Sequence, residues 1–277
     1  LLSDQMLKRK RLGREIRTRG IKGSIRSIYS SEYKVNLFEL LKTYSSIIMI
    51  KDFQKINIPK LPVFTTEEGI KTIKNFFGKL PISPFLTLSI HLDGLEDDHD
   101  RIVDQQGVFK IAVESIREAK KMGYRVTSAT TFFEGTTIEQ AETFLDFLNP
   151  LGIDGVTLSS AFRYPDAPDQ DHFFGRKRTQ EFFKALLEKN KKGRWDISHS
   201  PFYLEFLQGQ RDYECTPWGN PNYSVLGWQK PCYLLDDGYA DSFKELMDTT
   251  KWESYGHNNN QKCADCTAHC GYEATAV

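Results

Sequence analysis

From Phe85 onward, short β-branched apolar runs take turns with longer stretches of helical spacing. The run "FLTLSIHLDG" (85–94) ends on Asp-Gly and predicts a buried strand followed by a turn. Val108, Ile111, Ala112, Ile116, Ala119 and Met122 recur at helical spacing over 107–122, and Gly123 is placed to end that helix. "YRVTSATTFF" (124–133) predicts the next strand. Thr137 and Gln140 form a capping-box pattern ahead of a helix carrying Ala141, Phe144, Leu145 and Leu148 on one face. "GVTLSS" (155–160) predicts a third strand, 176–191 another helix and "RWDISHS" (194–200) another strand. Alternation at this spacing implies βα units and a parallel sheet. The polar groups His91, Asp93, Thr130, Thr131, Ser159 and Ser160 fall at strand C-termini. Such folds place ligands on that rim, and ordinary turn chemistry is the alternative for each Ser and Thr.

The pattern changes on both sides of this body. Residues 1–75 carry Lys8, Arg9, Lys10, Arg11, Arg14, Arg17, Arg19, Lys22 and Arg26 against Asp4 and Glu15. That charge run predicts a solvated, poorly ordered segment, with phosphate or lipid binding as its alternative. "LFELLKTYSSIIMIKDF" has the apolar content of a short helix followed by a strand, and no chemistry-bearing motif occurs there. From about 209 helical periodicity fades and Gly, Pro, Asn, Trp and Tyr accumulate, interrupted by a predicted helix at 241–250. The expected organisation is an atypical basic segment (1–75), an α/β body (76–208) and a loop-rich extension (209–277) of the kind that needs a staple.

Composition narrows the function classes. The 277 residues have zero formal net charge, which removes any global pull toward nucleic acid or anionic membrane. No stretch approaches ~18 consecutive apolar residues, the length of a spanning helix. The start, "LLSDQMLKRKRLG", has neither an initiator Met nor an apolar region after a basic one, so it reads as an internal cut and not as a secretory signal. An odd count of five cysteines without an export signal predicts a reducing, cytoplasmic setting with thiolates used as ligands.

Three of those cysteines, Cys263, Cys266 and Cys270, fall within "CADCTAHC"; Cys215 and Cys232 precede them in an aromatic-rich stretch. A C-x₂-C knuckle with Cys270 and one distant ligand would satisfy structural zinc. Four thiolates placed by irregular loops under aromatic cover would equally suit a [4Fe–4S] cube. Spacing alone leaves both open. His269 could replace a thiolate or serve as an N–H donor beside the site.

Cys215, Gly227-x₄-Cys232 and the C-x₂-C group with a further Cys resemble the auxiliary-cluster extension that follows the barrel of many radical S-adenosylmethionine enzymes. "SIHLDGLEDDHDRIVDQQGVFKIAVESI" is similar to a strand–loop–helix of those barrels. "HLDG", "APDQDHF", "YECTPWGNP", "GWQKPCYLL", "GYADSFKELM" and "CADCTAHCGYEATAV" resemble the adenosylhopane synthase family of hopanoid biosynthesis, over about Lys79 to Val277. The resemblance implies a partial (β/α) barrel of radical-SAM type over 76–208, followed by the cysteine-containing extension. It also implies S-adenosylmethionine and an auxiliary [4Fe–4S] cluster as cofactors, a C30 hopene as substrate, and flavodoxin or ferredoxin as electron donor. The product is adenosylhopane, and the locale is cytoplasmic, peripheral to the inner membrane. Its cluster ligands would be drawn from Cys215, Cys232, Cys263, Cys266 and Cys270, five candidates for four positions. Asp93 and His99 would face the cofactor. Phe132, Phe133, Phe162, Tyr164, Asp169, Gln170 and His172 would line the substrate slot, against a plain core role for the aromatics. The family's C-x₃-C-x₂-C motif is missing, because no cysteine precedes Cys215. The residues given are therefore expected to lack radical generation.

Overall fold

The computed structural model describes residues 82–163, 170–224, 226–235 and 237–276, with Lys71, Lys74, Asn75 and Gly78 ahead of them. The expectations for the basic segment and for "LFELLKTYSSIIMIKDF" lie outside the described residues.

Strand β1 (Thr87–His91) alternates exposed and buried positions, with Leu88 and Ile90 turned to the core. It runs parallel to β2 (Arg125–Phe132), with Thr87 opposite Arg125 and His91 opposite Ala129. From Ser128 to Phe132 every residue of β2 is buried, as expected of a strand covered on both faces. Strand β3 (Val156–Ser160) completes the order β1-β2-β3. The sequence reading of an α/β chain with parallel strands therefore holds for this body.

Two helices join β1 to β2. Helix α1 (Glu96–Ile102) is short, and α2 (Val108–Lys121) buries Phe109, Ala112, Val113, Ile116 and Ala119. Gly107 precedes α2 at φ +84°, so α2 has no side-chain cap of its own. Asp100 supplies one from a distance: its carboxylate accepts the Gly107 amide at 2.5 Å and the Phe109 amide at 2.8 Å while only 1% exposed. Asp100→Ala would strand both donors. We expect a loss of about 2 kcal/mol, read from urea unfolding. A cost below about 0.5 kcal/mol would show that the helix start does not depend on this carboxylate.

The capping box forms as the sequence predicts. The Thr137 amide donates to Gln140 Oε1 at 2.9 Å and the Gln140 amide to Thr137 Oγ1 at 3.2 Å. Helix α3 (Ile138–Leu148) follows, with Ala141, Phe144, Leu145 and Leu148 all buried. Helix α4 (Arg176–Lys189) buries Thr179, Phe182, Phe183 and Leu186, and α5 (Pro201–Leu207) starts from a Ser200 cap.

No strand forms over 194–200, correcting the expectation for "RWDISHS". Ile197 makes an isolated β-bridge, and side chains hold the rest of the segment. The Trp195 amide donates to Asn190 Oδ1 at 2.8 Å and its indole N–H to Asp146 Oδ1 at 2.9 Å. The ring of His199, not its backbone, meets Leu158, with Nε2 at 3.0 Å from the Leu158 nitrogen and 2.8 Å from its oxygen.

The contacts divide the described chain into two compact units. One holds the residues up to Thr130 together with Phe147–Val156; the other holds Thr131–Asp146 and everything from Thr157. In the second, the loop-rich region contains an antiparallel sheet of β4 (Tyr223–Ser224), β5 (Gly227–Gln229) and β6 (Tyr239–Ala240). Helices α6 (Phe243–Thr249) and α7 (His269–Ala276) follow; α6 lies within the predicted 241–250, whereas α7 was not foreseen.

Gly227 explains one half of the Gly-x₄-Cys spacing. Its φ is +120°, and a Cβ there would lie 2.6 Å from the Ala240 carbonyl oxygen on the neighbouring strand. Only glycine lets β5 and β6 approach this closely. Gly227→Ala should cost at least about 2 kcal/mol and displace the hairpin that carries Cys232. Thermal unfolding measures the first effect and metal loading the second; a variant unchanged in both would refute this role.

Candidate metal centre

None of the five cysteines forms a disulfide; Cys270 is buried and the other four are partly buried. Three separate chain segments bring them into one neighbourhood. Cys215 lies within electrostatic range of Cys232, Cys270 and Cys263, and Cys266 within range of Cys270, Cys215 and Cys232.

Helix α7 anchors the first segment. The Thr216 amide donates to the Gly271 carbonyl at 2.7 Å, and the Thr275 hydroxyl donates to the Glu214 carbonyl at 3.0 Å. Cys215 is thereby laid against Gly271, where a Cβ would lie 2.5 Å from the Cys215 sulfur. The second segment leaves the hairpin at Cys232, and its next residues, Tyr233 and Leu234, pack with Phe162, Ala268, Cys270 and Cys266. The third is the 263–270 loop itself. Asp237 ties the neighbouring loops together, accepting from Tyr255 Oη at 3.0 Å and Lys262 Nζ at 3.3 Å.

Burial pushes the Cys215 thiol up to about 12, with the other cysteines adding to it. Burial likewise raises Cys232, Cys263 and, most strongly, Cys266. Against this, backbone amides are directed at three of the sulfurs: Leu234 and Leu235 at Cys232, Gly256 at Cys263 and Ala268 at Cys266. Amide-to-sulfur hydrogen bonds favour the thiolate. Without a cation these groups remain protonated near neutral pH, whereas a bound soft metal takes the thiolates and releases protons. Among the described residues no three His, Cys, Asp or Glu side chains converge closely enough to hold an ion as they stand. The donor set nevertheless fits a soft, thiophilic metal: buried sulfurs, aimed amides, and a glycine where a side chain would fill the space.

A second cluster lies at the end of β1. Asp93, 5% exposed, pairs with His91 at 2.8 Å (Nε2 to Oδ2). The Asp93 amide donates to His99 Nδ1 at 3.2 Å. Nδ1 is thus the acceptor, so the neutral ring carries its proton on Nε2, which is buried without a hydrogen-bond partner. Thr130 Oγ1 donates to the Leu92 carbonyl at 2.8 Å, fixing the turn from the neighbouring strand.

Residues 156–277, which include all five cysteines, match a family model described as "Domain of unknown function (DUF3463)". No curated protein matches the chain. Among solved structures, "Native anSMEcpe with bound AdoMet" is similar at 14% identity and a TM-score of 0.47, over 76% of this chain and 61% of that one. "Native anSMEcpe with bound AdoMet and Kp18Cys peptide" gives 13% identity and 0.45, over 76% and 62%. The chain thus spans about three-fifths of the length of these structures.

The remaining sequence-selected residues fall in varied settings. Phe132 is 1% exposed, 5.1 Å from Phe182 and 6.3 Å from Phe183 by ring centroid, in a closed aromatic core. Phe133 faces Phe173 at 6.4 Å. Phe162 packs on Cys270, Ala268 and Leu234, so it covers the cysteine site. His172 contributes its carbonyl to the Glu134 amide at 3.0 Å, and the Gln170 carbonyl accepts from Arg163 Nε at 3.5 Å. Tyr164 and Asp169 lie outside the described residues. The His269 ring is 6.0 Å from that of His199.

Sequence reasoning missed the polar surround of the cysteines. Arg176, Asp212 and His257 lie outside every motif quoted above, although Asp212 is only three residues from Cys215; Asp265 and Tyr272 lie within the cysteine motif without being singled out. The one available signal was Asp265, a carboxylate inside the C-x₂-C knuckle.

Proposed function

We propose that this chain belongs to a radical S-adenosylmethionine enzyme in which residues 209–277 hold an auxiliary [4Fe–4S] cluster. The observation that supports the reading is that cysteines from three segments lie within electrostatic range of one another in a largely buried setting, with four amides directed at three of their sulfurs. The motif resemblance to adenosylhopane synthases supports the finer form: transfer of a 5′-deoxyadenosyl group to a C30 hopene, fed by flavodoxin or ferredoxin at the inner-membrane surface. No helix among the described residues is long and apolar enough to cross a membrane.

When bound, such a cluster supplies or relays single electrons. In this chain Cys215, Cys232, Cys263, Cys266 and Cys270 are the available ligands, Phe162 and Leu234 keep water from the sulfurs, and Tyr233 lies against the same core. Asp93 and His99 are the proposed cofactor contacts: the unpartnered Nε2–H of His99 offers a hydrogen bond to an acceptor on S-adenosylmethionine. Gln170 and His172, with Tyr164 and Asp169, remain proposed substrate contacts. Because no cysteine precedes Cys215, these residues alone should not release 5′-deoxyadenosine.

Anaerobic purification followed by metal analysis tests the reading. A brown protein absorbing near 400 nm with iron and acid-labile sulfide supports it. A colourless protein holding one zinc per chain defeats it.

A further inference from the structure

Four thiolates on a largely buried metal centre leave net negative charge in a site of reduced dielectric, and such charge needs a partner. Among the described residues Lys262, Arg163 and Arg176 are cations beside the cysteine loop; the Arg163 side chain is 55% exposed and lies 4.0 Å from the Asp265 carboxylate. Lys262, beside Cys263, is half exposed and paired with Asp237 at 3.3 Å. Arg176 is of a different kind, with a side chain only 17% exposed.

Arg176 is the first residue of α4. Its amide donates to Asp265 Oδ1 at 3.0 Å, so the carboxylate between Cys263 and Cys266 caps the helix. Its Nη1 donates to the Cys266 carbonyl at 3.1 Å, which places the guanidinium against the cysteine loop. Two rings flank it, Phe206 at 5.0 Å and Tyr272 at 5.6 Å from Cζ to centroid. Tyr272 is itself fully buried and senses Cys266 and Cys215. The guanidinium's carboxylate partner is Asp212, whose Oδ1 accepts Nη2 at 3.0 Å and whose Oδ2 lies 3.2 Å from His257 Nε2. Asp212 is 63% exposed, so water screens its charge, whereas the arginine's acts inward.

We propose that Arg176 is a positioning residue that serves as the counter-charge of the cysteine site, stabilising the reduced, more negative state of a bound cluster. This rests on the iron–sulfur reading above. Through the Cys266 carbonyl, Arg176 fixes the loop; through its charge it raises the reduction potential. A helper that only packed against the loop would do the first and not the second.

The test is a redox titration of anaerobically reconstituted protein. Arg176→Met keeps the length and the ring contacts but removes the charge, and its midpoint potential should shift to more negative values. Arg176→Lys should restore most of the shift. Arg176→Gln is the second neutral variant: it keeps an amide N–H for the Cys266 carbonyl, should shift the potential in the same negative direction, and decides the matter if Arg176→Met fails to fold. Unchanged potentials in loaded Arg176→Met, or in loaded Arg176→Gln where the former is not obtained, would overturn the assignment. Failure of the unsubstituted chain to load iron and sulfide would instead overturn the cluster reading, and the assignment with it.

Discussion

Gly271→Ala should lower iron and sulfide loading at least tenfold while leaving the fold intact. Two effects oppose each other at this position. Gly271 lies inside α7, where replacement of glycine by alanine favours the helix by about 1 kcal/mol. The new Cβ, however, would lie 2.5 Å from the Cys215 sulfur, far inside contact distance. The sulfur is the movable party, because the Cys215 Cβ is 3.9 Å away and the thiol can rotate about it. Relief therefore takes the form of a thiol turned out of the site. The fold keeps its helix gain and the centre loses a ligand. Thermal unfolding of the metal-free protein should be unchanged or slightly raised, against a large fall in absorbance near 400 nm after reconstitution. Full loading in Gly271→Ala would mean that Cys215 is not a ligand.

Acidification should weaken the β1–α1 region by about 3 kcal/mol between pH 6.5 and pH 4, through His99. Burial lowers its pKa from 6.5 to about 4; His91 adds to the shift, while Asp93 and Asp100 oppose it. The sign follows from which state binds the proton. Above pH 6.5 the ring is neutral folded and unfolded, and makes no difference. Below it the unfolded chain takes up a proton that the native ring refuses, so stability falls until about pH 4, where the native ring also titrates. A depression of this size corresponds to about 3 kcal/mol. His99→Gln keeps an acceptor for the Asp93 amide and removes the titration, so its stability should be flatter over the same interval. Urea unfolding of both proteins from pH 4 to pH 7 measures the difference. Parallel curves would show that His99 is not the group responsible.

Elements with one dominant face were legible in the sequence. β1 and the seam of α3 were legible because burial on one side imposes periodicity, and β2, covered on both faces, because it is a continuous run of β-forming residues between turn signals. The segment 194–200 misled for a physical reason: it reads like a strand, but Trp195 is fixed by Asn190 and Asp146 and the His199 ring by the Leu158 backbone, partners that no local pattern reveals. Helix α7 was hidden because the residues it buries, Cys270, Gly271, Tyr272 and Ala276, resemble a loop in composition. The cysteines announced the site by type and spacing, whereas Arg176 and Asp212 did not. An arginine that begins a helix looks like any solvated charge until the fold shows its guanidinium on the Cys266 carbonyl.

The proposed iron–sulfur centre shared by cysteines from separate segments is open to direct test. Its most direct measurement is iron and acid-labile sulfide per chain, after anaerobic reconstitution, in the unsubstituted protein and in Cys215→Ala, Cys232→Ala and Cys266→Ala. The account predicts equal amounts of iron and sulfide in the first and a severe loss in all three variants. Retention of full metal in Cys215→Ala and Cys232→Ala, with loss confined to Cys266→Ala, would place the metal on the 263–270 loop alone and contradict it.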